Sequence, residues 1–179
     1  MNNLGILLID MQDFFIKRCH PKEVESLIES QKKLFNFAYE RGVPIFILEY
    51  FPVGETTEKL EKELSKNKNY FVRKEGDNGF IVAPPYIEDT FEEIQQNRIF
   101  RNLLEEEKIQ NLILTGVHKD ACVLKTAIGA KNRNYNIFTS EELCDRTKKE
   151  VPWFYENSNH YQTLSELLNV VSSPKTKSF

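Results

Sequence analysis

Short apolar runs, each closed by a polar residue and separated by segments of helical periodicity, constrain this chain more than any other feature. LGILLI (Leu4–Ile9) stops at Asp10, PIFIL (Pro44–Leu48) at Glu49, and YFVRK (Tyr70–Lys74) ends on a cation. Leu112–Leu114 stops at Thr115-Gly116, and Tyr135–Thr139 at Ser140-Glu141-Glu142. Continuous apolar character over so few residues marks strands buried on both faces. The helical segments are Pro21–Arg41, Thr57–Lys66, Tyr86–Gln96, Asn97–Lys108, a stretch running from Ala121 to Asn134, and Asn159–Asn169. Pro21 suits a first turn and Gly42 a stop. The alternation predicts an α/β fold in three layers, α/β/α. Its central, mostly parallel sheet has five or six strands, Leu112–Leu114 lies at its middle, and Val170-Val171 is a candidate sixth strand.

A chain of 179 residues is expected to form one domain over 1–179, with a frayed tail at 174–179. A formal charge of −3 without a basic block gives no electrostatic footprint for nucleic acid. The lysines of Lys59–Lys68 are interleaved with acids and read as a solvated face. No apolar run approaches the roughly 18 residues of a membrane span, and no signal peptide opens the sequence. Cys19, Cys122 and Cys144 lack metal or disulfide spacing, so a reducing, cytoplasmic setting is expected, with no metal and no cofactor.

Parallel α/β sheets bind ligands at the carboxyl ends of their strands. Asp10, Lys74 and the turn Gly116–Cys122 are expected to converge there. Taken singly, Asp10 reads as a cap or turn residue, Lys74 as a surface lysine, and Cys122 as a small packing side chain. Together they bring an acid, a base and a thiol to one rim. Asp13 competes with Asp10 but lies past the strand end, and Arg73 replaces Lys74 only if the strand register slips by one. In the first turn of its helix, Cys122 is expected to feel unpaired N–H groups and the dipole, which lower a thiol pKa. Cys19 and Cys144 read as packing residues, and His20 and His160 as structural. No Cys-His arrangement is recognisable.

These segments resemble the isochorismatase-like cysteine hydrolases, the family of nicotinamidases, N-carbamoylsarcosine amidase and ureidoacrylate amidase. The resemblance runs from about Leu4 to Asp145. It is carried by TGVHKDACVLKTAIGAKNRNY with the following IFTSEELCD, by LGILLIDMQDFF, and by VRKEGDNGF, in that family's order. It implies Asp10 as general acid/base, Lys74 as the catalytic lysine and Cys122 as nucleophile. It further implies a cis peptide between Val117 and His118, and an oxyanion hole from the His118 and Cys122 N–H groups. Phe15, Tyr50, Phe80 and Trp153 are candidates for the substrate pocket. Three departures stand out. LEYFPVGETT has no histidine, so the Asp-x-His metal pair of nicotinamidases is absent, and Ile81–Gln96 looks like extra sequence forming a lid, a wall or a subunit contact. His118 stands where many relatives have a small residue.

The implied activity is hydrolysis of a C–N bond in a small amide or carbamoyl compound through a cysteine thioester. The enzyme is expected to be a homo-oligomer, dimer or tetramer, with a small-molecule substrate. Two alternatives are a non-catalytic binding or scaffold protein that keeps the fold, and an isochorismate-type ether hydrolase. The joint presence of Asp10, Lys74 and Cys122 weighs against the first, and Cys122 itself against the second.

Overall fold

β1 (Leu4–Ile9) is buried along its whole length, and its side chains divide between two cores. Leu4, Ile6 and Leu8 point into one, Leu7 and Ile9 into the other, as the two-residue period of a strand requires. The computed structural model describes residues 3–80, 91–144 and 151–173, with the side chains of 91–98 left aside. Expectations for Ile81–Gln96 before residue 91, and for the tail 174–179, lie outside those residues.

β2 (Ile45–Tyr50), β3 (Asn69–Lys74), β4 (Asn111–Gly116), β5 (Asn136–Ser140) and β6 (Asn159–Tyr161) complete a six-stranded sheet ordered β3-β2-β1-β4-β5-β6. Every neighbouring pair is parallel. On one face, α2 (Pro21–Arg41), the short α3 (Glu61–Leu64) and α7 (Leu164–Ser172) supply Leu34, Phe35, Leu64, Leu167 and Val171. On the other, α4 (Phe91–Glu106) and α5 (Leu124–Lys131) supply Phe100, Leu104, Ala127 and Ala130. This is the expected three-layer α/β/α arrangement, with β1 and β4 at the centre.

Strand order runs outward in opposite directions from β1 and β4. The crevice past their carboxyl ends is therefore the topological switch point of the sheet. Gly116 closes β4 there. A Cβ at this position would collide with the Ile9 carbonyl and the Val123 side chain, so only glycine lets the two central strands come this close.

Several local expectations are corrected. Val170-Val171 is not a strand but the last part of α7. That helix starts at Thr163, whose side chain accepts from the Glu166 N–H in a capping box. The sixth strand is instead Asn159–Tyr161, so His160 sits in an edge strand rather than a helix. Lys119–Val123 is a π turn rather than the first turn of a regular helix. Among the described residues the cis bond is Phe51–Pro52, where the tertiary amide makes cis accessible; Val117–His118 is not cis.

Candidate active site

Asp10 follows β1 directly. Its N–H still donates to the Leu48 carbonyl at 2.9 Å, but its φ of 51° turns the chain into the left-handed region. Among non-glycine residues Asp and Asn tolerate this conformation best. The turn aims the carboxylate across the strand ends, where Lys74, last residue of β3, meets it with Nζ 2.7 Å from Oδ2. Both side chains are nearly sealed from solvent, at 4% exposure for Lys74 and 2% for Asp10. Nζ also donates to the Gly76 carbonyl at 3.0 Å and lies 5.3 Å from the Tyr50 ring centroid. Asp13 and Arg73, the competing residues, are exposed. On β3 the alternation holds: Val72 and Lys74 face inward, Phe71 and Arg73 outward.

Cys122 enters from β4 through the π turn. The His118 carbonyl holds that turn, accepting from the Ala121 and Val123 N–H groups at 3.3 and 3.2 Å and from the Cys122 thiol at 3.7 Å. The thiol is buried and close enough to Asp10 for each to shift the other's titration, and the Lys74 charge acts on the thiol as well. Oδ1 of Asp10 is buried without a hydrogen-bond partner in the protein. The pair Asp10–Lys74 thus keeps one carboxylate oxygen uncommitted beside a thiol.

The expected lowering of the Cys122 pKa is not what this geometry produces. Burial pushes the thiol well above its ordinary value, and the Asp10 carboxylate adds to the shift; the Lys74 ammonium and a backbone hydrogen bond at His118 only partly oppose it. The resting group is therefore a thiol beside a carboxylate, not a thiolate. Cys144, buried next to Thr139, is pushed up by burial to about 11.

Asp10 titrates above its ordinary value because burial outweighs the attraction of Lys74. A carboxyl raised in the folded state favours folding when protonated. That contribution is fully present below the unfolded pKa near 3.8 and is lost as pH rises through the folded value. Lys74→Met removes the compensating charge and pushes Asp10 further up. The variant should come nearest to wild-type stability at acid pH. Its deficit should widen toward neutrality, to on the order of 3 kcal/mol. Urea unfolding at pH 4 and pH 7.5 measures the difference; a deficit independent of pH would contradict the coupling.

The aromatic candidates separate. Phe15, from α1 (Asp13–Ile16), packs edge-on against Tyr50 and His118, with ring centroids 6.0 and 5.8 Å apart. These three half-buried rings link the ends of β1, β2 and β4. Phe80 does not join them. It is buried in the core against Phe100 and Tyr135, because the chain after β3 folds back over α5 through Thr126 and Arg133. Trp153, in α6 (Pro152–Asn157), packs edge-on against Phe154 at the border of that same core.

Gln12 belongs to the LGILLIDMQDFF motif but receives no role from the sequence, yet it is fully buried and organises the Tyr50 side of the rim. Its amide donates to the Tyr50 and Gly54 carbonyls, and its oxygen accepts from the Tyr50 N–H at 2.8 Å. A polar residue two positions past a strand end is a weak signal, and only the long-range partners reveal its role. Among the described residues, no three His, Cys, Asp or Glu side chains gather as metal ligands, and no helix is long and apolar enough to cross a membrane.

The solved structures with this fold include the nicotinamidase from Staphylococcus aureus, at TM-score 0.69 and 21% identity over 90% of this chain and 100% of that one. The N-carbamoylsarcosine amidase from Thermoplasma acidophilum superposes at TM-score 0.65 and 16% identity, covering 90% and 95%. An octameric hydrolase of unknown specificity from Escherichia coli gives TM-score 0.68 and 16% identity, covering 93% and 78%. No curated protein matches the sequence. The family model of the isochorismatase domain matches residues 5–163, from the second residue of β1 to the cap of α7 and so across all six strands, and this chain belongs to the isochorismatase family.

Proposed function

We propose that this protein is a cysteine hydrolase that cleaves a C–N bond in a small amide or carbamoyl compound, with Cys122 as nucleophile, Asp10 as proton carrier and Lys74 as the cation that holds Asp10. The observation that carries this reading is the sealed Asp10–Lys74 pair with one free carboxylate oxygen beside the Cys122 thiol.

The chemistry follows from that resting state. Asp10 takes the Cys122 proton as sulfur attacks the carbonyl carbon; a C–S bond forms and the carbonyl π pair moves to oxygen. The Cys122 N–H is the donor assigned to this oxyanion. With Val117–His118 not cis, the His118 N–H loses the geometric reason for its assignment. Collapse breaks the C–N bond, and Asp10 gives its proton to the leaving nitrogen. A water then loses a proton to Asp10 and attacks the thioester; the acid departs, and Cys122 recovers the proton. The sum is amide plus water giving acid plus ammonia or amine.

A raised thiol pKa suits this route, since a thiol that keeps its proton needs a base within reach. Phe15, Tyr50 and His118 are assigned to the substrate mouth, whereas Trp153 packs on Phe154. The similarity to a nicotinamidase and a carbamoylsarcosine amidase supports the amide class without choosing a member of it. We also assign the chain to one domain and to a homo-oligomer, in line with the octameric relative; light scattering tests the latter. A screen of small primary amides, ureido and carbamoyl compounds for ammonia release tests the function. Release from at least one compound is expected, and a folded protein inert to all of them would favour the scaffold alternative.

A further inference from the structure

Lys119 lies three residues before Cys122 in the π turn, and its side chain is 4% exposed. It reaches toward the end of β5. There Nζ sits 2.6 Å from Oε1 of Glu141, the first residue of the 3-10 turn Glu141–Leu143. The same oxygen accepts from the Tyr155 hydroxyl at 2.9 Å. It also lies 2.9 Å from Nε2 of His160, whose side chain is 2% exposed and whose N–H is not aligned into a hydrogen bond. The ammonium stands over the Tyr155 and Phe154 rings, at 5.8 and 6.0 Å from their centroids. Burial alone would raise the Glu141 carboxyl, but the bonds from Lys119 and Tyr155 outweigh it and hold the group below its ordinary value. Burial lowers the His160 pKa, with Glu141 opposing. The cluster is thus an ammonium–carboxylate pair with a neutral imidazole against it.

A buried ion pair is weak evidence of a stabilising role. Lysine is rarely buried, and apolar replacements of buried ion pairs are often neutral or stabilising. What the pair does is join two elements. The π turn has no side-chain cap, and two of its N–H groups converge on the one His118 carbonyl, in a geometry with weaker hydrogen bonds than an α-helix. We propose that Lys119 and Glu141 are positioning residues: their ion pair pins the π turn to the end of β5 and so fixes the Cys122 sulfur and N–H against Asp10. This inference rests on the reading of Cys122 as the nucleophile.

The test measures kcat and KM on a compound found by the ammonia screen, using the full chain. Lys119→Met, Glu141→Gln and the double variant are compared, with circular dichroism as the folding control. Misplacing a nucleophile by about 1 Å can cost on the order of 100-fold in rate. Each single variant should lose roughly 10- to 100-fold in kcat, with KM changed by less than about threefold. The double variant should fall no further, because the two residues act as one unit. Wild-type kcat in either folded variant, with only a lowered melting temperature, would show a merely structural pair and overturn the proposal; so would additive losses. If Lys119→Met does not fold, Glu141→Gln decides the question, because it keeps the side-chain shape and removes the charge. Cys122→Ala runs in the same assay. Turnover in that variant sinks the nucleophile reading, whereas its loss alongside full activity in the Lys119 and Glu141 variants sinks the positioning role alone.

Discussion

Cys122→Ala should abolish ammonia release while leaving the fold intact, and Cys144→Ala should leave the rate per folded molecule unchanged. Both thiols are buried, and burial raises the pKa of both. What separates them is their neighbours. Cys122 lies against Asp10 and Lys74, whereas Cys144 pairs with the Thr139 hydroxyl at 3.5 Å. Removing the nucleophile removes the thioester route, so the loss should be many orders of magnitude. Removing a packing cysteine should cost on the order of 1 kcal/mol of stability and no chemistry. Ammonia release per folded molecule, with circular dichroism as control, measures both effects.

Asp10→Asn should separate two quantities that usually move together. Turnover should fall nearly as far as in Cys122→Ala, since Asn accepts no proton from the thiol and returns none to the leaving nitrogen. Reactivity of Cys122 toward a small alkylating reagent near neutral pH should rise. The Asp10 carboxylate disfavours the thiolate, and in its absence the Lys74 ammonium is left facing the sulfur. Peptide mass spectrometry after timed iodoacetamide treatment reads the second quantity at Cys122. Slower alkylation in the variant would mean that Asp10 promotes the thiolate in the resting state, against the electrostatics of the site.

Much of this architecture is written locally in the chain. Leu4–Ile9 and Leu112–Leu114 are apolar without interruption because both faces of the sheet are covered, and that pattern needs no tertiary information. Asp10 and Lys74 stand out because a charge closes each run, and parallel pairing brings such charges to one edge. Failures arise where the deciding contact is distant. Lys119–Val123 reads as an ordinary helix start, and its π geometry appears only with the fold. At Cys122, chain position shows a helix terminus but neither the burial that raises the thiol pKa nor the Asp10 carboxylate that adds to it. Phe80 looked like a pocket residue beside the lysine strand, yet the chain folds back and buries it against Phe100. The Thr163–Glu166 capping box was legible and would have placed α7 correctly, freeing Asn159–Tyr161 to be the edge strand. Lys119 and Glu141, 22 residues apart in sequence, carry no local signal of their pairing.

The central claim is that the reaction passes through an acyl thioester on Cys122. Its most direct test is an acid quench of the protein during turnover of an amide identified by the ammonia screen, followed by mass spectrometry of the intact chain and of the peptide carrying Cys122. The account predicts a mass increase equal to the acyl group on Cys122, which decays once substrate is exhausted and never forms in Cys122→Ala. Ammonia release continuing in folded Cys122→Ala, with no acyl group on Cys122 of the wild type, would contradict it.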